Sequence, residues 1–317
     1  MGGIGQARGK LILFGEHAAV YGHPAVGVSL PEGTTVRLLG AVLPEWDLGS
    51  IPLEDRERVS AILSRLEDAL SGLAARGRRA VEIESGVARK AGFGSSAALC
   101  GAFARAALSQ AGEEEDAGGD STRAWTIAHD AERLFHGTPS GVDTGLSLLG
   151  GTCVLRPRPP GLPEYRRVSG RLLRLVVGAV QRDAACAALV GGLAARVKSG
   201  DRAARASIDA LGGIAANASN ILLSNAGGID EALGVLADRA MDQLRGLGLS
   251  TPDLDRLLKA ARAAGALGAK LSGAGGGGAF FAIARDAAAA TLILSRLEAE
   301  TAGAGIVLAS PLRVIQA

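Results

Sequence analysis

A proline-rich segment near the middle of the chain, RPRPPGLPEY at residues 156–165, limits how the 317 residues can fold. Proline has no backbone N–H and a fixed φ angle, so four prolines in this segment disfavour a helix or a central strand. We therefore expect an exposed connection there. At about 150 residues per domain, the length predicts two domains, which we assign to residues 1–165 and 166–317.

Strand-like and helix-like segments occur on both sides of this connection. Apolar runs and alternation predict strands at KLILF (10–14) and VEIES (81–85). Residues 54–77 repeat apolar side chains at helical spacing and end on Gly77, which predicts one helix with a buried face. The second half adds predicted strands at 172–180, 279–284 and near 305–315, and a predicted helix at 287–300. The class is therefore α+β or α/β.

Charge and hydropathy argue against nucleic acid or a membrane as a partner. The 34 basic and 32 acidic residues give a net charge of +2 and form no basic stripe. No segment has the roughly 18 uninterrupted apolar residues of a membrane span, and the apolar run after Lys10 is too short for a signal peptide. We expect a cytoplasmic protein. Cys100, Cys153 and Cys186 fit neither a disulfide framework nor a zinc site, and we expect them to be buried small hydrophobic residues.

The segment KAGFGSSAAL (90–99) places two glycines and two serines ahead of small residues that predict a buried helix over 97–107. A glycine turn that enters a helix leaves backbone N–H groups unpaired, and such groups attract anions. Gly92 and Gly94 would allow close backbone approach, while the Ser95 and Ser96 hydroxyls could bind phosphate or magnesium. An ordinary helix N-cap explains the same residues equally well.

A dinucleotide-binding turn is a further interpretation of this segment. GFGSSA matches G-x-G-x-x-G/A, and acidic residues at 113–116 follow at about the distance of a ribose-binding acid. However, GVARKA separates the glycines from the predicted strand, whereas a dinucleotide turn follows its strand directly. The P-loop pattern is absent. The turn by itself leaves these interpretations open.

Four segments in a fixed order form a more specific pattern than the turn alone. They are GKLILFGEHAAVYGHPAVGVSL (9–30), the glycine-serine turn (92–98), ERLFHGTPSGVDTGLSLLGG (132–151) and AKLSGAGGGGAFFAI (269–283). Together they resemble the GHMP small-molecule kinase family, and the similarity extends over most of the chain. Within the family, GEHAAVYG and HGTPSGVD are most similar to the mevalonate kinase branch.

The resemblance implies a two-domain α+β fold, with an N-terminal domain like domain 2 of ribosomal protein S5 and a ferredoxin-like C-terminal domain. It implies an active site between the domains, ATP and Mg²⁺ as cofactors, and a small-molecule acceptor. The predicted reaction is ATP-dependent phosphorylation of the 5-hydroxyl of mevalonate. The alternatives are phosphomevalonate kinase, another GHMP kinase, or a non-catalytic ligand sensor of the same fold. A homodimer is left open.

The resemblance also implies roles for individual residues. Asp143 would be the general base, with Lys10 beside it and beside the transferred phosphoryl group. The residues around the ATP phosphates would be Gly92, Phe93, Gly94, Ser95, Ser96 and Ala97. The magnesium ligands would be Ser96 and Glu132. The acceptor pocket would be lined by Glu16, His17, Ser140, Gly273, Ala274 and Gly275.

These residue types suit phosphoryl transfer, which needs in-line positioning, charge neutralisation and one proton acceptor. Outside the family pattern, Asp143 would be interpreted as a turn residue and Glu132 as a solvated carboxylate. For His129 we keep the interpretation of a surface or satisfied core histidine. Two departures affect the phosphate turn: GVARKAG lacks the usual proline and extra glycine, and Phe93 occupies a position where leucine is usual.

Overall fold

The computed structural model describes the chain apart from residues 1, 71–72, 74–75, 114–121, 138, 160, 171, 183–191 and 225–226. The first half builds a five-stranded antiparallel sheet. Its strands are β1 (Gly3–Phe14), β2 (Ala25–Leu43), β3 (Arg78–Ser85), β4 (Thr152–Arg158) and β5 (Gly161–Arg167). The long strand β2 pairs with β1 on one side and, at its two ends, with β4 and β3 on the other.

The helices of the first half are α1 (Leu53–Ala69), α2 (Ser95–Ala111), α3 (Thr122–Glu132) and α4 (Val142–Leu149). Helix α2 is buried along most of its length because its sequence is dominated by alanine and other small residues. A Cβ atom added to Gly5 of β1 would lie 2.1 Å from the Ala102 carbonyl oxygen. Glycine therefore allows α2 to pack directly on β1.

The second half builds a four-stranded antiparallel sheet with the order β7-β8-β6-β9. Its strands are β6 (Arg174–Val180), β7 (Gly268–Leu271), β8 (Gly278–Ala284) and β9 (Leu308–Gln316). The helices are α5 (Arg202–Leu223), α6 (Ile229–Gly246), α7 (Pro252–Ala263) and α8 (Ala287–Ala304). Asp201, Thr251 and Asp286 cap α5, α7 and α8 with side-chain oxygens that accept backbone N–H bonds.

A shared apolar core joins the two halves. Buried residues of β1 and β2, including Leu13 and Val28, belong to the same hydrophobic cluster as Val176 and Phe280 of the second sheet. A polar contact reinforces this packing. The Ser272 hydroxyl donates to the Ile12 carbonyl at 2.7 Å and accepts the Ile12 N–H at 3.1 Å, and both bonds are buried. The start of the glycine run is thereby fixed to β1.

The expected exposed connection at 156–165 is wrong, because residues 156–158 belong to β4 and residues 161–165 to β5, and the two strands pair. Strand β4 pairs with β2 only as far as Leu155, and its pairing with β5 shifts register between Arg156 and Arg158, so Pro157 removes no regular ladder bond. Pro163 lies on β5, the edge strand of the sheet. Proline is tolerated at both kinds of position.

The single helix expected over 54–76, with Gly77 just past its end, is also wrong. Helix α1 ends at Ala69, and Leu70 adopts a non-helical conformation with φ −130° and ψ 87°. Leu70 and Leu73 remain buried, so the apolar spacing continued across the helix end and concealed it. Of the acidic residues 113–116, all but Glu113 lie outside the described residues. Within the described part of the chain, no helix has the length and apolar character needed to cross a membrane.

Candidate active site

A cavity of about 780 Å³ is lined by residues from both halves of the chain. Its walls include most of the predicted site residues: Lys10, Glu16, His17, Gly92, Gly94, Ser95, Ser96, Ser140, Asp143, Gly273 and Ala274. The other four, Phe93, Ala97, Glu132 and Gly275, are buried and do not line the cavity. The structure thus gathers segments that are far apart in the sequence.

The predicted phosphate turn depends on left-handed backbone conformations. Gly92 and Gly94 have φ angles of 92° and 76°, and Lys90 also lies in this region, at 59°. Gly94 is the N-cap of α2, and no side chain caps that end of the helix. Ser95 and Ser96 therefore do not act as an ordinary side-chain N-cap of α2. Residues 86–91 separate β3 from Gly92, so the strand does not lead directly into the turn, as a dinucleotide site requires.

Lys10 and Asp143 form an ion pair at the cavity wall, with Lys10 Nζ 2.9 Å from Asp143 Oδ1. Lys10 lies on β1 and is buried, whereas the Asp143 side chain is 30% exposed. Asp143 occupies the first turn of α4, after Gly141 with φ 78°. The Lys10 N–H donates to the Phe93 carbonyl at 2.9 Å. These contacts bring β1, the phosphate turn and the start of α4 together.

Glu132 ends α3 as a buried carboxyl group; the Thr144 hydroxyl lies close to it, but neither oxygen accepts a hydrogen bond of good geometry. Burial raises its pKa to about 8; the Asp143 charge acts in the same direction and Lys10 opposes it. At pH 7 this carboxyl group is therefore mostly protonated, and binding of a cation would release its proton. The ionised form suits Mg²⁺, which takes one or two protein oxygens and completes its shell with phosphates and waters. Among the described residues there is no cluster of three His, Cys, Asp or Glu side chains that could hold a metal unaided.

Glu16 and His17 follow β1 and meet the second half of the chain. Glu16 forms a fully buried ion pair with Lys270 of β7, which also donates to the Leu271 carbonyl at 2.7 Å. Burial raises the Glu16 pKa and lowers the Lys270 pKa, and the attraction between the two charges opposes both shifts. Sequence reasoning missed Lys270. The available signal was a lysine inside an apolar strand, directly before a glycine run.

His17 has a positive φ of 61°, an uncommon conformation for a residue other than glycine. Burial lowers its pKa to about 4, while a hydrogen bond with the Ala274 backbone opposes the shift and the nearby Lys270 charge adds to it. Its Nε2 atom is buried and has no hydrogen-bond partner. The imidazole is therefore neutral at pH 7, and one of its nitrogens is left without a protein partner.

Arg182 is a second cavity residue that sequence reasoning missed. It follows β6 and lies between the phosphate turn and the glycine run. A Cβ atom on Gly92 would be 3.3 Å from an Arg182 guanidinium nitrogen, and one on Gly278 would be 2.6 Å from its Nε. Only its position directly after an apolar strand could have drawn attention to it. Residues 183–191, which come next, lie outside the described residues.

A further lobe of the cavity lies near the start of α1. Ile51, Val59 and Ile83 supply apolar surface, and Thr34 and Ser85 form a hydroxyl pair at 2.8 Å. The rim carries a two-pronged ion pair, in which Arg89 binds both oxygens of Asp55 at 2.6 and 2.7 Å. The hydrogen bonds from Arg89, and secondarily its charge, lower the pKa of Asp55. This lobe can accept a flat, partly apolar ring with polar edges.

Cys100, Cys153 and His129 do not line the cavity. Cys100 and Cys153 are buried free thiols, as expected, and Cys186 lies outside the described residues. His129 is buried, and burial lowers its pKa. Of the two expectations for His129, a core position is the one observed, but the histidine is not fully satisfied, because its buried Nδ1 atom has no hydrogen-bond partner.

Two family models match the chain: "GHMP kinases N terminal domain" over residues 57–151 and "GHMP kinases C terminal" over residues 220–302. The mevalonate kinase of Pyrococcus horikoshii is 30% identical, with 89% of this chain and 88% of that protein covered. The structure of L. major mevalonate kinase in complex with R-mevalonate has a TM-score of 0.74 at 25% identity, covering 94% of this chain and 92% of that one.

The likeness in fold extends to other kinases. The structure of Streptococcus pneumoniae phosphomevalonate kinase has a TM-score of 0.70 at 18% identity, covering 98% of this chain and 99% of that one. Fold similarity alone therefore does not distinguish the two acceptors. The predicted α+β class and the resemblance on which it rested are confirmed.

Proposed function

Because the chain belongs to the GHMP kinase family and, within it, to the mevalonate kinases, we propose that it transfers the γ-phosphoryl group of ATP to the 5-hydroxyl of mevalonate. The product would be 5-phosphomevalonate, an isoprenoid precursor. The observation that supports this most strongly is the Lys10–Asp143 pair, which stands in one cavity with the phosphate turn and the glycine run.

Asp143 is the proposed general base. Its partly exposed carboxylate can accept the hydroxyl proton as the oxygen bonds to phosphorus. Lys10 is held by β1, by the Phe93 carbonyl and by the packing of its stem against Gly94, so its charge is fixed in place. A fixed cation beside the transferred group offsets the charge that develops in the transition state.

Mg²⁺ would be held by the Ser96 hydroxyl and the Glu132 carboxylate, together with the ATP phosphates. When bound, the ion neutralises phosphate charge and orients the transferred group. Glu132 suits this role because its buried oxygens accept no hydrogen bond of good geometry from the protein. The ATP phosphates would lie on the turn formed by Gly92, Phe93, Gly94, Ser95, Ser96 and Ala97. The adenosine would occupy the lobe beside α1, which offers both apolar and hydroxyl surface.

The acceptor would lie on the opposite side of the turn, against Glu16, His17, Ser140, Gly273, Ala274 and Gly275. The neutral imidazole of His17 has one nitrogen left over for a hydroxyl or carboxylate of the substrate. We also retain three broader proposals: two domains, a cytoplasmic location, and assembly as a homodimer. The predicted domain boundary at 165/166 falls inside β5, so we propose that the boundary follows Arg167.

The test is an ADP-release assay with mevalonate, phosphomevalonate, homoserine and galactose as separate acceptors. We expect the highest kcat/KM with mevalonate and dependence on Mg²⁺. A higher kcat/KM with phosphomevalonate would overturn the acceptor and leave the kinase chemistry intact. ATP binding with no turnover on any of the four would favour a ligand sensor, although Lys10, Ser96, Glu132 and Asp143 are all present.

A further inference from the structure

Phe93 lies at the centre of the phosphate turn but faces away from the cavity. Its side chain is 1% exposed, whereas its neighbours Gly92 and Gly94 line the cavity. Its carbonyl accepts the Lys10 N–H at 2.9 Å. Phe93 thus connects the turn to the core through its ring and to β1 through its backbone.

A residue of the second sheet covers this ring. Arg313 of β9 has its guanidinium carbon 5.0 Å from the centroid of Phe93, a distance at which a cation is attracted to an aromatic face. Its Nε atom lies 2.7 Å from Oε1 of Glu32 on β2, and the side chains of this pair are only 26% and 32% exposed. Arg313 is thus anchored at both ends, since its backbone pairs with Val177 of the neighbouring strand β6.

The turn touches the second sheet at a second point. A Cβ atom added to Gly92 would lie 3.0 Å from the Ala279 nitrogen of β8. Consecutive residues of the turn, Gly92 and Phe93, are therefore held by two different strands of the same sheet. That sheet also carries the glycine run that ends at Gly278. Movement of the second sheet relative to Phe93 would displace the turn.

We propose that Arg313 is a positioning residue, which holds the phosphate turn in its ATP-binding geometry through the face of Phe93. This inference rests on the proposed function, in which the turn binds the phosphates of ATP. Arg313 itself does not line the cavity, so it acts on the nucleotide only through Phe93. If the Arg313–Glu32 pair merely stabilised the fold, its loss would lower the melting temperature without selectively weakening ATP binding.

The experiment measures ATP affinity by isothermal titration calorimetry, with KM values and melting temperature as further readouts. Arg313→Met keeps the aliphatic stem and removes the cation. We expect ATP to bind about 5- to 20-fold more weakly, as for the loss of a partly desolvated cation–π contact. The KM for mevalonate should stay within about twofold. The matched control is Arg296→Met, which breaks an exposed ion pair with Glu300 on α8 and should leave ATP affinity unchanged.

Phe93→Leu removes the aromatic face and keeps an apolar side chain in the core. We expect a similar loss of ATP affinity, and less than a twofold further loss when Arg313→Met is added, because the two residues act through one contact. This second variant also tests the inference if Arg313→Met fails to fold. Unchanged ATP affinity in Phe93→Leu, or the full Arg313→Met effect in the Phe93→Leu background, would overturn the proposal.

The titrations separate this inference from the proposed function. If the wild-type protein binds ATP but does not phosphorylate mevalonate, the acceptor assignment fails while a selective effect of Arg313→Met still supports the positioning role. If it phosphorylates mevalonate and Arg313→Met binds ATP normally, only the positioning role fails. A wild-type protein that does not bind ATP contradicts both.

Discussion

At the scale of single residues, Asp143 provides the sharpest test of the proposed mechanism. Asp143→Asn preserves size but removes the charge and the proton acceptor, so kcat should fall by about 10²- to 10⁴-fold, roughly 3 to 5 kcal/mol. Single-turnover phosphoryl transfer measures this directly. Asp130→Asn is the control, because Asp130 pairs with Arg65 away from the main cavity. A loss of less than about threefold is too small for general-base catalysis.

Glu132→Gln tests the proposed magnesium ligand. The amide resembles the protonated carboxyl that burial favours, so the variant should fold normally. We expect it to need about tenfold more Mg²⁺ for half-maximal turnover. Even changing a residue that only supports a metal ligand commonly lowers metal affinity by this factor. Turnover is measured against Mg²⁺ concentration at saturating ATP, and Glu164→Gln on β5 serves as the control. If the variant needs no more Mg²⁺ than the wild type, Glu132 is not a magnesium ligand.

His17 predicts how stability depends on pH. Its pKa falls from 6.5 in the unfolded chain to about 4 in the folded protein, so the unfolded state binds its proton first. Above pH 6.5 the histidine is neutral in both states and does not reduce the free energy of unfolding. As the pH falls from 6.5 to 4, only the unfolded state gains the proton, so the free energy of unfolding drops by about 3 kcal/mol. The difference in urea unfolding between wild type and His17→Asn over pH 4 to 7 measures it. Parallel curves for the two proteins would contradict the shift.

At the scale of elements, the turn before α2 requires glycine for two reasons. Gly94 has φ 76°, and a Cβ atom there would lie 2.6 Å from Cγ of Lys10. Gly94→Ala should therefore displace Lys10, weaken ATP binding at least tenfold and destabilise the fold by about 1 to 3 kcal/mol. Gly213→Ala in α5 is the matched control, because nothing lies within 4 Å of its added Cβ. That change should be neutral or slightly stabilising. Equal ATP affinities of the two variants would refute the argument.

The sequence predicted elements well where local pattern and burial agree. KLILF, VEIES and AFFAIA lie within strands, and the small residues after Ser96 form the buried helix α2. The prediction failed where contact with a residue far away in the sequence decides whether a segment forms a strand. Pro157 and Pro163 fit strands because β5 is a sheet edge and β4 shifts register there. No local pattern contains that information.

For the candidate site too, some residues could be predicted from the sequence and others could not. The family pattern led to Lys10 and Asp143, which the structure places 2.9 Å apart. Lys270 and Arg182 were missed, because each contacts residues far away in the sequence. A buried lysine is costly by itself, and only the fold reveals that Glu16 compensates it.

At the scale of the whole molecule, the Glu16–Lys270 pair joins the two halves inside the protein. Lys270→Met leaves the Glu16 carboxylate buried without its partner, and we expect a loss of roughly 3 to 5 kcal/mol in the free energy of unfolding. The double variant Glu16→Gln with Lys270→Met should recover part of this loss, since no charge then remains stranded. Urea unfolding measures both. Lys259→Met, at an exposed position of α7, is the control. Additive losses would show that the two residues stabilise the fold independently.

The same pair restricts how this protein can exchange parts with its relatives. One partner is encoded near the start of the chain and the other near its end, yet neither charge is tolerated in the interior alone. A chimaera that takes its N-terminal half from one kinase and its C-terminal half from another should lose roughly 3 to 5 kcal/mol of stability if one half brings its charge and the other lacks the partner. Two residues 254 positions apart therefore decide whether the halves of two such kinases are compatible.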